Sequence, residues 1–143
     1  MKRLMHLNII CLFIFTVSCN LKSYAQIPDA VKTSFKAKYP DEKPDNWEID
    51  DHGNYEFHFK KNGEKMRADF LKTGKWIETE ISIDKDELPK AIKKVIKEKF
   101  DDEDITEVEK VMHHSKGLFY DVEFKKKGKN KDVMFKTDGS IIH

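Results

Sequence analysis

Ile27-Pro28-Asp29-Ala30-Val31 and Leu88-Pro89-Lys90-Ala91-Ile92 are one phrase written twice. The echo continues downstream. Tyr55-Glu56-Phe57-His58-Phe59-Lys60-Lys61-Asn62-Gly63 returns as Tyr120-Asp121-Val122-Glu123-Phe124-Lys125-Lys126-Lys127-Gly128. Phe70, Gly74, Trp76 and Ile77 match Phe135, Gly139, Ile141 and Ile142. A recurring pattern implies a recurring structural unit, so each half can be read against the other.

Each half opens on a helical period. Leu88, Ala91, Ile92, Val95, Ile96 and Phe100 recur at spacings of three and four, one apolar stripe on a helix whose other side carries Lys90, Lys93, Lys94, Lys97 and Lys99. Pro89 falls in the first turn, where its missing N–H costs nothing. Ile27, Val31, Phe35 and Tyr39 draw the same stripe, ended by Pro40. Helices of about 11 to 13 residues are expected.

The period then changes to two. Tyr55, Phe57 and Phe59 alternate with Glu56, His58 and Lys60, and Leu118, Tyr120, Val122 and Phe124 alternate with Phe119, Asp121, Glu123 and Lys125. Such alternation marks strands with one buried face. Asn62-Gly63, Thr73-Gly74, Lys127-Gly128 and Asp138-Gly139 are turn signals, and further strands are expected near 47–50 and 107–112. One such unit buries too little alone, and the link Asp84-Lys85-Asp86-Glu87 is short. The expectation is therefore a single α+β domain over 26–143, made of two tandem αββββ repeats, 27–83 and 88–143. They should form one antiparallel sheet of about eight strands with both helices on one face.

Residues 1–25 read as a secretory signal. Lys2 and Arg3 precede the apolar run Ile9 to Val17, which is shorter than the roughly 20 residues a membrane span needs. Ser23-Tyr24-Ala25 offers a cleavage site, and Val17-Ser18-Cys19 offers a lipobox-like alternative that would keep Cys19 as an anchor. The expected location is periplasmic or secreted, with membrane attachment only through a lipidated Cys19. Either cut removes Cys11, so no disulfide framework, cysteine zinc site or thiol nucleophile is expected. The whole chain has 27 basic and 26 acidic side chains; without Lys2, Arg3 and Lys22 the balance is 24 to 26. That balance argues against nucleic acid as a partner.

The signal-like start, the twice-used aliphatic-Pro-x-Ala-aliphatic opening, the Tyr-containing central strand and the late Asp-Gly resemble the PepSY-like family. Its members are described as similar to the beta-lactamase inhibitor protein. The resemblance covers essentially all of the chain after the signal. It implies an extracytoplasmic bacterial protein with a concave antiparallel sheet and a role in binding or inhibiting other proteins. It carries over no catalytic residue, and a beta-lactamase target does not follow from a shared fold.

Alternation places Glu56, His58, Lys60, Arg67, Asp69, Trp76, Glu78 and Glu80 on the sheet face without helices, with Ile77, Ile81 and Ile83 turned to the core. The second half adds Phe119, Asp121, Glu123, Asp132 and Met134 to that face. Trp, Tyr and Arg anchor interfaces most often, so Trp76, Arg67 and Phe119 are the expected anchors, with His58, Asp69 and Met134 beside them. The bland counter-reading is that Trp76 and Phe119 only cover their neighbours at strand ends. The expected function is a protein-binding module, an inhibitor or regulator of an envelope or secreted enzyme, whose partner is an unidentified extracytoplasmic protein. The alternative is a small-ligand or calcium sensor using acidic loops. Asp101, Asp102 and Asp104 are its candidates, although no run has the Asp-x-Asp-x-Asp-Gly spacing of a calcium loop. No metal or cofactor is otherwise expected. His113 and His114, adjacent on a strand, should point to opposite faces. There is no nucleophile elbow, phosphate loop or zinc-binding helix, so no enzymatic activity is expected.

Overall fold

The computed structural model describes residues 27–142. The expected signal sequence and both candidate processing sites lie outside them. The first half contributes α1 (Asp29–Lys38), β1 (Asn46–Ile49), β2 (Tyr55–Lys61), β3 (Glu64–Phe70) and β4 (Trp76–Ser82). The second contributes α2 (Lys90–Lys99), β5 (Asp104–His113), β6 (Gly117–Lys126) and β7 (Lys129–Phe135). The seven strands form one antiparallel sheet in chain order, a meander of hairpins.

Both helices begin at the repeated proline. Pro28 and Pro89 stand just before the first helical residue, and their carbonyls accept from Lys32 and Lys93. Each helix is 10 residues long, slightly shorter than the stripe suggested. The chain leaves helical geometry at Tyr39 and Phe100, whose rings are buried in the core.

Residues directly opposite one another in antiparallel strands share a sheet face. Phe57 faces Ala68, Ala68 faces Thr79, Thr79 faces Met112 and Met112 faces Leu118. Val31, Phe35 and Tyr39 of the first half pack on this side with Phe57, Phe59, Ala68 and Phe70. Ile92 and Phe100 pack on the same side with Val108, Val122, Phe124, Val133 and Phe135. Among the described residues, no helix lies over the other face.

The repeated alanine and the late glycine are two sides of one contact. A Cβ at Gly74 would stand 2.6 Å from the Ala30 carbonyl oxygen, and one at Gly139 would stand 2.9 Å from that of Ala91. Both glycines also have positive φ, 84° and 87°. The turn backbone rests directly on the helix, which leaves no room for a side chain.

Among the described residues the sheet has seven strands where about eight were expected. The segment corresponding to β4 in the second half is a single bridge between Ile141 and Phe135, extended by a bond from the Ile142 N–H to the Met134 carbonyl. β4 pairs along both edges, with β3 and β5, whereas the backbone of residues 141–142 pairs only with β7 among the described residues.

Candidate functional site

The open face is built from alternate residues of all seven strands. One row across it runs Glu48, Glu56, Asp69, Glu78 and His113. The next runs His58, Arg67, Glu80, Val111 and Phe119. Beyond lie Glu109, Asp121 and Met134, then Glu107, Glu123 and Asp132. Carboxylates therefore crowd the middle of the sheet.

Arg67 is the guanidinium among them. Its Nη2 forms an ion pair with Glu80, and its Nε lies 3.6 Å from Glu56 Oε2. Glu56 also meets His58 Nε2 at 2.7 Å, and Glu48 lies 3.5 Å from the same nitrogen. Burial works against the Arg67 charge, but Glu80, Glu109 and Glu56 together hold it well above its ordinary range. One guanidinium cannot satisfy the whole cluster. Asp69 is only 6 % exposed, and its Oδ1 accepts no hydrogen bond among the described residues. Burial, reinforced by the Glu56 charge, pushes the Asp69 carboxyl up to about 7. Glu109, half-buried and close to the Glu80 charge, is pushed up to about 8 by desolvation and that charge. Burial also raises Glu56, Glu78, Glu80 and Asp121. Desolvation and like charge both disfavour the ionised form, and here they act together.

A shallow cleft of ≈ 210 Å³ opens in this region. Arg67 forms part of its wall, and Glu80, Glu107, Glu109, Asp121, Glu123 and Asp132 form the rest. Such a surface attracts cationic groups and repels anions.

Two expected anchors, Trp76 and Phe119, are placed differently from the sequence reading. Trp76 is on the helix-covered face. A bulge lets Asp69 face Glu78 while Phe70 faces Trp76, so Ile77 is the extra residue and the alternation reverses. The indole packs against the first-half core, donates from Nε1 to Thr79 Oγ1 at 3.0 Å, and lies 3.6 Å beneath Lys38 Nζ. Phe119 is on the open face but only 3 % exposed, so its ring cannot act as a protruding anchor. Lys116 Nζ reaches to 5.5 Å from that ring and to 3.9 Å from Met134 Sδ. Met134, half-buried, stands opposite Asp121 on the open face. His113 and His114 also depart from expectation. Their ring centres are 4.5 Å apart because His114 belongs to the turn and not to the strand. Arg67, His58 and Asp69 do share the open face, as the alternation implied.

The acidic runs have local explanations. Asp50 accepts from the His52 and Asn54 N–H groups at 2.8 Å, closing a turn. Asp84 and Glu87 form a reciprocal capping box. Asp102 pairs with Lys126, and Asp104 faces Lys125 across the strands. Asp101, Asp102 and Asp104 do not come together as a ligand set. Among the described residues, two groups of side chains are close enough to share an ion: Glu48 with Glu56 and His58, and Asp69 with Glu78 and Glu80.

Glu107 and Glu109 escaped the sequence reading. β5 does not alternate cleanly in apolarity: Val108 belongs to the covered face, Val111 lies on the open one, and Lys110 faces Ile81 on the covered side. Their face could be assigned only from the pairing.

The chain matches the profile of a family described as "Putative beta-lactamase-inhibitor-like, PepSY-like" over residues 17–67 and 53–143. Among solved structures it is similar to a BLIP-like protein from Bacteroides fragilis NCTC 9343, with 20% identity over 85% of this chain and 86% of that one and a TM-score of 0.73. It is similar to a protein from Bacteroides eggerthii DSM 20697 described as a putative periplasmic protein, with 22% identity, 81% and 86% coverage and a TM-score of 0.72. A DUF2874 family protein from Bacteroides uniformis ATCC 8492 gives 21% identity, 81% and 86% coverage and a TM-score of 0.73. At such identities the likeness speaks for the fold. No curated protein matches the chain.

Proposed function

Because the chain belongs to the PepSY-like, beta-lactamase-inhibitor-like family, we propose that it is an extracytoplasmic protein-binding module. In this reading it holds a partner on the open sheet face, and the partner presents cationic side chains there. The observation that carries the reading is the cleft in which Arg67 stands among six carboxylates. Each buried carboxylate gains when an opposite charge arrives and its desolvation is offset. A partner with Lys or Arg would supply that charge, and stable recognition would need roughly 800 Å² from each protein.

No helix of the described residues is long and apolar enough to cross a membrane. The family description is inhibitor-like and names no catalytic activity. The signal-like start fits a periplasmic or secreted location, with lipid attachment at Cys19 as the alternative. The two halves are read as copies of one unit, and the matched Ala–Gly contacts support that.

The test is a pull-down from envelope and secreted fractions. Wild type is compared with a Glu109→Gln, Asp121→Asn, Asp132→Asn variant whose folding is checked by circular dichroism. A partner held by wild type, released by about 0.5 M salt and not held by the variant is the expected result. Equal capture by the two proteins would remove the open acidic face from the reading.

A further inference from the structure

Where β3 and β4 run side by side, Asp69 stands opposite Glu78 and Arg67 opposite Glu80. Asp69, Glu78 and Glu80 each bring a carboxylate oxygen within 4.8 Å of one from each of the others. Two oxygens bound to one calcium at about 2.4 Å can be no further apart than about 5 Å, so the spacing suits a shared ion. The donors are all oxygens, which selects hard cations over zinc or copper.

A cluster of acids alone would mean little on a charged surface. Here Asp69, whose carboxylate reaches into this group, adds an independent sign: it is 6 % exposed, and its buried Oδ1 has no hydrogen-bond donor among the described residues. Leaving a buried carboxylate oxygen unpartnered is costly. The nearby cation, Arg67, is already divided between Glu80 and Glu56. Glu78 is half-buried, which leaves an approach from solvent and room for water to complete a coordination shell. The neighbouring Glu48–Glu56–His58 group is less suitable, because His58 and Glu56 satisfy each other at 2.7 Å and Glu48 is exposed.

We propose that Asp69, Glu78 and Glu80 form a binding site for one hard divalent cation of the calcium or manganese type, with Arg67 as the internal competitor for Glu80. The site is independent of the partner reading, because it needs no second protein. In it the ion bridges β3 and β4 and offsets the mutual repulsion of three carboxylates. Arg67 then keeps its contact with Glu56.

The experiment titrates the purified protein, stripped with EDTA and desalted, with CaCl2 and separately with MnCl2. Binding is followed by calorimetry and, for manganese, by electron paramagnetic resonance. The expected result is one equivalent bound by wild type, with affinity lowered by about tenfold or more in both D69N and E78Q. E78Q, at the half-buried position, keeps the test decisive if D69N does not fold. R67Q should bind more tightly, since it removes the competing charge; weaker binding in R67Q counts against the geometry. No binding of either ion up to about 10 mM, beyond the weakest extracellular calcium sites, overturns the proposal. So does binding that D69N and E78Q leave unchanged.

Discussion

On β3, Met66, Ala68 and Phe70 turn to one side of the sheet while Arg67 and Asp69 turn to the other. The two sides are made from the same strands by the same alternation, yet they are satisfied differently. On the covered side Phe35 touches Tyr39, Phe57, Phe59 and Phe70, with ring centres 4.7 to 6.3 Å apart. Even the polar Thr79 is provided for, hydrogen-bonded to Tyr39 Oη and to Trp76 Nε1. On the open side Asp69 is as buried as Thr79, both at 6 % exposure, and its Oδ1 has no donor among the described residues. The covered face is finished by the chain itself. The open face keeps carboxylates that the chain itself leaves without donors among the described residues.

The sharpest way to break this contrast is to damage the covered side. Phe35→Ala should destabilise the fold by about 3–5 kcal/mol, a large part of the roughly 5–15 kcal/mol that holds a domain together. Urea unfolding measures it; a loss below about 1 kcal/mol would mean that α1 does not anchor the first-half core. Trp76→Ala comes next. Its ring is partly buried beneath Lys38, so a loss of about 2 kcal/mol is expected. If Trp76→Ala instead left stability unchanged and abolished partner capture, the indole would act as a contact residue and the two faces would not be divided as described.

The open side should answer to pH. Asp69 and Glu109 ordinarily ionise near 3.8 and 4.5, and the fold raises them to about 7 and about 8. The folded state therefore binds protons more tightly than the unfolded chain between those values. Their contribution is full below about pH 4 and is lost as pH rises through about 7 to 8. Melting temperature in EDTA-containing buffers should fall from about pH 5 to about pH 9. Glu109→Gln should flatten that slope, raising stability by about 1 kcal/mol at the alkaline end and little at the acid end. A melting temperature that rises with pH would contradict the charge crowding seen on this face.

Much of the covered side was legible beforehand. The three-and-four spacing of Leu88 to Phe100 found α2, and the alternation from Tyr55 to Phe59 found β2 with its buried face. Both signals are local, because burial on one side of a regular element writes its own period into the chain. Asn62-Gly63 and Lys127-Gly128 also read correctly as hairpin turns, with positive φ at all four residues. The limits came where the period slips by one. The extra residue at Ile77 moved Trp76 to the covered face, and the mixed apolar parity of β5 hid Glu107 and Glu109. A bulge leaves almost no trace in sequence, yet it reverses every side chain beyond it.

The acidic residues draw the same line most clearly. Those that stand out in the sequence, at Asp50, at Asp84 to Glu87 and at Asp101 to Asp104, close turns, cap a helix or meet lysines across the strands. Those that gather into a cluster are scattered singly from Glu56 to Asp132, each between neighbours that face the other way. The sequence by itself determined the two helices, the hairpin turns and the buried side of β2 and β6, because each follows from contacts a few residues apart. Only the tertiary structure decided that six strands bring their carboxylates together around Arg67. Strand register sets which distant residues become neighbours, and it is fixed by pairing across the whole sheet.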